Sequence, residues 1–230
     1  MLTPPTYLTA CVTALSLITS PAFSAPLSCD TPNIRVTAQN PTHAALACNA
    51  AKRAQTIFKI CNLPALSTPT EIGIVDDLIA DCLGIYHCRD NAIDVLSPTI
   101  LQERGKPDGV FAHLTVPAFF QSIVVHELAH AATKDMPCPF DVCNVGAEYV
   151  AYAMQIMSLD KAGRRAFERA TDMETEIAAG DLNRFILLMV PEVFAQNVWT
   201  HLSQQDAPCA YIAEIISGDV VLDQQNYDLE

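Results

Sequence analysis

The sequence has few basic residues and few glycines. Its 230 residues include 13 Lys and Arg against 26 Asp and Glu, a formal net charge of −13, and only 8 Gly. The lack of a basic cluster that could neutralise phosphates argues against nucleic-acid binding. The same deficit argues against adhesion to anionic lipid. Hydrophobic residues make up 50% of the chain, which excludes a disordered protein and predicts a single large core.

The chain also lacks an apolar segment long enough to span a bilayer. The run over residues 7–18 is too short, and small residues that suit cleavage after Ser24 follow it. This layout is typical of a secretory signal peptide, although no Lys or Arg precedes Arg35. We predict a signal peptide over residues 1–24 and one mature domain over residues 25–230. The mature chain should be exported to the periplasm or the extracellular space, with no stable membrane insertion.

No C-x-x-C pair occurs, which argues against a cysteine-based zinc site. Nine cysteines are present, and cleavage of the signal peptide removes Cys11, which leaves eight. An even number in an exported chain predicts up to four disulfides, whose connectivity the sequence does not reveal. Two pairs are close in sequence, namely Cys82 with Cys88 and Cys138 with Cys143.

Apolar periodicity and turn residues predict an α+β fold, with a small sheet early in the chain packed on a mainly helical core. Strands are predicted over residues 34–38 and 71–76, and a hairpin over residues 84–96, followed by a loop. Helices are predicted over residues 41–61, 117–133, 145–159, 160–172, 181–204 and 208–217. Pro191 should bend or split the helix over residues 181–204.

One motif carries chemistry, H-E-x-x-H at residues 126–130. On a helix, positions four apart share a face, so His126 and His130 can bind one ion. A catalytic Zn²⁺ takes such imidazole nitrogens and keeps one position open. Glu127 points beside the ion, where it can take a proton from water and pass it to a leaving amine. Glu127 is also the only Asp, Glu, Lys or Arg between Pro117 and Lys134, as expected of a buried helix.

With this motif the chain resembles the zincin metallopeptidases. The metzincin pattern requires Gly and His where Thr133 and Met136 stand, so that branch is excluded. In gluzincins the third ligand is a Glu on the following helix, and Glu148 fits, 18 residues past His130 on an apolar stretch. The resemblance implies a zinc metallopeptidase that cleaves a peptide or protein substrate. It implies His126, His130 and Glu148 as ligands of Zn²⁺ and Glu127 as the catalytic base.

Several assignments around the motif stay open. Asp135, Asp141 and His113 compete with Glu148 as the third ligand. Many gluzincins carry an Asp four residues after the ligand Glu, as a partner of a ligand histidine. This chain has Tyr152 there, whose hydroxyl could serve instead.

The hydrogen-bond donor to the oxyanion should be a His or Tyr, and the candidates are Tyr149, Tyr152 and His201. By the same resemblance, the hairpin over residues 84–96 offers either backbone hydrogen bonds to an extended peptide or simple sheet structure.

We also predict that Cys138 and Cys143 are disulfide-linked, to each other or elsewhere, and fix His130 relative to Glu148. An alternative to the peptidase is a non-catalytic secreted protein that retains a zincin core to bind zinc or a partner. A third hypothesis is zinc-dependent hydrolysis of a non-peptide amide.

Overall fold

The computed structural model describes residues 26–79, 82–105 and 109–223, so the predicted signal peptide lies outside the described residues. Within these ranges the fold is mixed α+β, as predicted from the sequence. The strands are β1 (Leu27–Ser28), β2 (Ile34–Thr37), β3 (Thr70–Val75), β4 (Gly84–His87) and β5 (Ala92–Leu96). The helices are α1 (Pro41–Ile60), α2 (Pro98–Arg104), α3 (Val116–Thr133), α4 (Asn144–Met157), α5 (Lys161–Arg169), α6 (Arg184–Met189), α7 (Pro191–Ser203) and α8 (Pro208–Ser217), with a short 3₁₀ turn at Ala179–Asp181.

The strands form one sheet in the order β1-β2-β3-β5-β4. The three central strands run parallel, whereas β1 and β4 pair antiparallel at the two edges. Val36, Ile72 and Ile93 are fully buried, so one face of the sheet packs on the helical core. Strand β4 therefore lies at the sheet edge that adjoins α3.

Helix α3 lies at the centre of the fold because it is apolar on almost every side. It begins after Thr115, whose hydroxyl accepts a hydrogen bond from the Ala118 amide at 3.4 Å, and Pro117 occupies its first turn. Helix α1 packs against it through a buried face of small residues, Ala44, Ala47, Ala50, Ala51 and Ala54. Small side chains on α1 let the two helices approach closely, which leaves α4 to cover another side of α3.

The helices agree with the sequence-based expectation at Pro191 and differ from it after the hairpin. Pro191 splits the helix expected over residues 181–204 into α6 and α7, as predicted, and α6 begins only at Arg184. Helix α2 occupies part of the loop expected after the hairpin. Its start is explained by Ser97 and Pro98, which together end a strand and begin a helix: the Ser97 hydroxyl caps the Ile100 amide at 3.4 Å.

Three disulfides link the described residues, Cys29–Cys48, Cys61–Cys209 and Cys138–Cys143. The second joins the end of α1 to α8 across 148 residues of sequence. Cys82 and Cys88 carry free thiols at opposite ends of β4, so a bridge between this close pair is not formed. A strand rises about 3.3 Å per residue, which holds the two Cα atoms well beyond the roughly 7 Å that a disulfide tolerates.

No helix in the described part of the chain is both long and apolar enough to cross a membrane.

Candidate metal centre

The three predicted ligands converge where α3 packs against α4. The Nε2 atoms of His126 and His130 are 3.2 Å apart. Glu148 places Oε2 3.3 Å from the His126 Nε2 and Oε1 3.5 Å from the His130 Nε2. Ligands about 2.0–2.1 Å from a tetrahedral ion are separated from one another by roughly 3.3 Å. The described side chains therefore already have the spacing that a small tetrahedral cation requires.

A buried chain of hydrogen bonds fixes the orientation of His126. Its Nδ1–H donates to the Gln155 Oε1 at 3.0 Å, and the Gln155 Nε2 donates to the Ser122 hydroxyl at 3.2 Å. Ser122 in turn donates to the Phe119 carbonyl at 2.8 Å. With its Nδ1 proton held in this way, His126 presents the lone pair of Nε2 to an ion.

Gln155 is the hydrogen-bond partner of the ligand His126. The sequence had suggested Tyr152 for this role, in place of the Asp that many gluzincins carry there. Gln155 lies seven residues, or about two helical turns, past Glu148, so both side chains share one face of α4. Tyr152 lies between them and packs its ring edge-on against His126, with the centroids 4.6 Å apart. The sequence signal for Gln155 is an amide side chain on an otherwise apolar helix, on the same face as the ligand Glu148.

The competing third ligands do not join this cluster. Asp135 is exposed and pairs with Lys134 at 2.8 Å. His113 lines a separate cavity with Glu192 and Val193. Among the described residues, the group of His, Cys, Asp or Glu side chains spaced to hold a metal consists of His126, His130 and Glu148, so Asp141 also lies outside it.

Burial and mutual charge shift the pKa values of the ionisable cluster. Burial and the neighbouring His126 lower the pKa of His130 to about 4. Burial opposes the charge of His126 and of Glu148, but the contact between the two outweighs it, which raises the pKa of His126 and lowers that of Glu148. In the metal-free protein this contact favours the charged forms of His126 and Glu148, whereas burial favours the neutral form of His130. A bound cation would replace the proton on the His126 Nε2.

Glu127 is buried beside the ligands, with only 5% of its surface exposed. Burial raises its pKa to about 7, against a smaller lowering by His126. A carboxyl group with a pKa near neutrality can both take up and release a proton at physiological pH, which is what a general base and acid requires. Its carboxylate lies against the backbone of β4, next to Gly84.

The three candidate oxyanion donors differ in their position relative to the metal ligands. The Tyr149 hydroxyl and the His201 Nδ1 form a hydrogen bond of 2.9 Å, and both side chains are buried in the core beside Tyr211. The Tyr149 hydroxyl and the His201 Nδ1 are therefore already used in a hydrogen bond with each other. Tyr152 is partly exposed and lies against a ligand ring.

The start of α4, just before Glu148, is fixed by one long-range contact and one local disulfide. Asp223 accepts hydrogen bonds from the amides of Val145 and Gly146 at 2.9 and 3.0 Å and so caps a helix that has no cap of its own. The Cys138–Cys143 disulfide closes the loop between α3 and α4, and confirms the predicted oxidation of both cysteines.

The part of the chain that carries the candidate centre matches the model of a known protein family. The model of one family matches residues 34–225, which contain all the residues of the candidate centre. The chain belongs to the family of unknown function DUF6639. Comparison with curated proteins and with solved structures found no match for the chain. Membership in this family assigns no activity.

Proposed function

We propose that the protein is an exported zinc-dependent hydrolase of peptide bonds. The observation that carries the proposal is the convergence of His126, His130 and Glu148 at metal-ligand spacing, with the buried Glu127 beside them. A purely structural ion site would not need a further carboxyl group of pKa near 7 next to its ligands. The three disulfides support export, since disulfides persist in oxidising compartments.

The donor set favours zinc among the divalent cations. Two imidazole nitrogens and one carboxylate oxygen suit Zn²⁺, whereas Ca²⁺ and Mg²⁺ prefer oxygen ligands in larger number. Three protein ligands at tetrahedral spacing leave a fourth position open, which is typical of catalytic zinc and not of structural zinc.

In the proposed mechanism each residue has a separate task. Bound Zn²⁺ supplies a Lewis acid that acidifies water and polarises the scissile carbonyl. Glu127 accepts a proton from the attacking water and delivers it to the leaving amine. Gln155 holds His126 in the tautomer that leaves Nε2 free. The Tyr152 hydroxyl, the one predicted donor beside the ligands, donates a hydrogen bond to the developing oxyanion.

The test is cleavage of a quenched fluorescent peptide library by the purified mature protein loaded with zinc. We expect cleavage that a chelator stops and added Zn²⁺ restores. Glu127→Gln should retain one equivalent of zinc and lose turnover by at least about a hundredfold. Asp135→Asn, which changes an exposed carboxylate outside the cluster, should leave turnover unchanged. Full turnover by Glu127→Gln would contradict the assigned base.

Glu148→Ala tests the third ligand separately, by zinc affinity. Loss of a ligand should weaken binding at least tenfold, measured by competition with a chelating dye. Undiminished affinity in that variant would move the third ligand elsewhere.

The non-catalytic alternative gives a different result in the same experiments. A protein that only stores zinc or binds a partner through this centre would bind one equivalent of zinc and cleave no peptide. Hydrolysis of a small amide substrate, without cleavage of any peptide, would instead favour the non-peptide hydrolase.

A further inference from the structure

Glu127 contacts an element outside its own helix, the edge strand β4. A Cβ atom built at Gly84 would lie 2.6 Å from the Glu127 Oε1, 2.8 Å from its Cγ and 3.0 Å from its Cδ. Real Cβ atoms essentially never approach other heavy atoms this closely. The φ angle at Gly84 is not in the left-handed region, so glycine stands here because of space and not because of backbone conformation.

The register of the hairpin shows which backbone groups of β4 face Glu127. The Leu96 amide donates to the Leu83 carbonyl at 2.9 Å, and Ile85 pairs with Asp94. Because backbone groups alternate in an antiparallel pair, Leu83 and Ile85 bond to β5, and the amide of Tyr86 points to the free edge. That amide stabilises the charged form of the Glu127 carboxylate.

The hairpin that carries these groups is held in place at its turn. The Tyr86 hydroxyl donates to the Asn91 Oδ1 at 2.8 Å, and the Asn91 Nδ2 donates to the Pro69 carbonyl at 2.7 Å. Asn91 has a φ of 49°, a left-handed conformation that Asn tolerates in turns. The backbone of β4 is thus tied to the start of β3 as well as to β5, which makes it a firm surface for a side chain to rest on.

We propose that Gly84 is a positioning residue for the general base: its missing side chain forms the slot in which the Glu127 carboxylate lies, and the Tyr86 amide holds the carboxylate there. The edge strand β4 thereby sets the orientation of the Glu127 carboxylate, whereas α3 and α4 set the orientation of the metal ligands. The catalytic part of this inference rests on the proposed function, because it assumes that Glu127 is the general base. The steric contact between Gly84 and Glu127 does not depend on that function.

The steric part is tested in the metal-free mature protein by a double-mutant cycle on the melting temperature. Gly84→Ala should lower Tm by roughly 3 °C or more in the parent chain, because the added methyl displaces the buried carboxylate. In the Glu127→Ala background the slot is vacant, and the same substitution should change Tm by less than about 1 °C. A Gly84→Ala protein that folds only when combined with Glu127→Ala is the same result in a stronger form.

Gly73→Ala is the matched control, because its Cβ would also meet a carboxylate oxygen, the Asp94 Oδ1 at 2.5 Å, on the same sheet but away from the centre. Its effect on Tm should be the same with and without Glu127→Ala. If Gly84→Ala costs as much in the Glu127→Ala background as in the parent chain, or neither protein folds, the proposed slot is refuted.

The catalytic part is read in zinc-loaded protein as a split between kcat and KM. Gly84→Ala should lower kcat at least tenfold with KM and zinc affinity within about twofold, whereas Gly73→Ala should change neither kinetic constant. Unchanged kcat in Gly84→Ala would overturn the positioning role. Coupling in Tm combined with no turnover in the parent chain would refute the proposed function while leaving the steric slot established.

Discussion

The hydrogen bond between Gln155 and His126 offers a sharp test of how the metal centre is built. Gln155→Leu replaces a 3% exposed amide by an apolar side chain of similar size. The His126 Nδ1–H loses its acceptor, and the Ser122 hydroxyl loses a donor. Loss of the hydrogen-bond partner of a ligand histidine typically lowers metal affinity about 10–100-fold. We therefore expect Gln155→Leu to bind Zn²⁺ more weakly by that factor, or about 1.4–2.7 kcal/mol.

The cost to the metal-free protein should be of a similar order. A buried donor left without a partner costs about 1–3 kcal/mol, partly offset by the apolar surface that Leu buries. For a domain of this size each kcal/mol corresponds to roughly 2–4 °C, so Tm should fall by several degrees.

The assay is competition for Zn²⁺ with a chelating dye at pH 7.5, together with thermal unfolding of chelated protein. Gln155→Glu is the matched control because a carboxylate restores the acceptor, and it should recover most of the affinity. Gln121→Leu provides a second control, as the Gln121 amide donates to the Leu46 carbonyl on α1 and not to a ligand. Unchanged zinc affinity in Gln155→Leu would refute the role of this hydrogen bond.

Two further predictions concern the start of α4. Asp223→Ala removes the acceptor of two amide hydrogen bonds and should lower stability by about 1 kcal/mol and weaken zinc binding, whereas Asp219→Ala should do neither, because Asp219 is bonded to a neighbouring serine hydroxyl; equal melting curves for the two variants would contradict the capping role. Replacing Cys138 and Cys143 together by Ser should lower both Tm and zinc affinity, because the loop between α3 and α4 then gains freedom; a variant with parental Tm and parental affinity would show that this disulfide does not hold the centre.

The sequence predicted the local parts of the centre well, because they depend on short-range periodicity. The i, i+4 spacing of His126 and His130 fixes their common face once the helix forms, and the apolar surroundings of the motif indicate that this helix is buried. Glu148 could be proposed because it is an acidic residue in the first turns of the next apolar helix. The structure brings all three together at the expected place.

Long-range features were beyond such reasoning. Cys61 and Cys209 are 148 residues apart, and nothing local distinguishes this pairing from the many others that eight cysteines allow. The role of Gly84 depends on the register of β4 against α3, which a glycine in a short strand does not reveal. Gln155 was not predicted because a single amide on a helix is usually read as a surface residue, and only the packing of α4 on α3 buries it.

The effect of the buried Glu127 carboxyl group on stability separates a catalytic group from a structural one. The carboxyl group titrates at about 7 in the folded protein and near 4.5 when unperturbed. Between these values the native state holds a proton that the unfolded state has released, so the stability of the metal-free protein should fall as the pH rises from about 4.5 towards and beyond 7.

Glu127→Gln has the same shape without the charge. At pH 8 it should melt above the parent protein, and at pH 5 the difference should be small. A group kept for stability would show the opposite sign, because its removal would lower Tm at pH 8. Thermal unfolding of both chelated proteins across this range decides the matter. A lower Tm for Glu127→Gln at pH 8 would show that the carboxylate stabilises the fold, and the argument that it is retained for chemistry would fail.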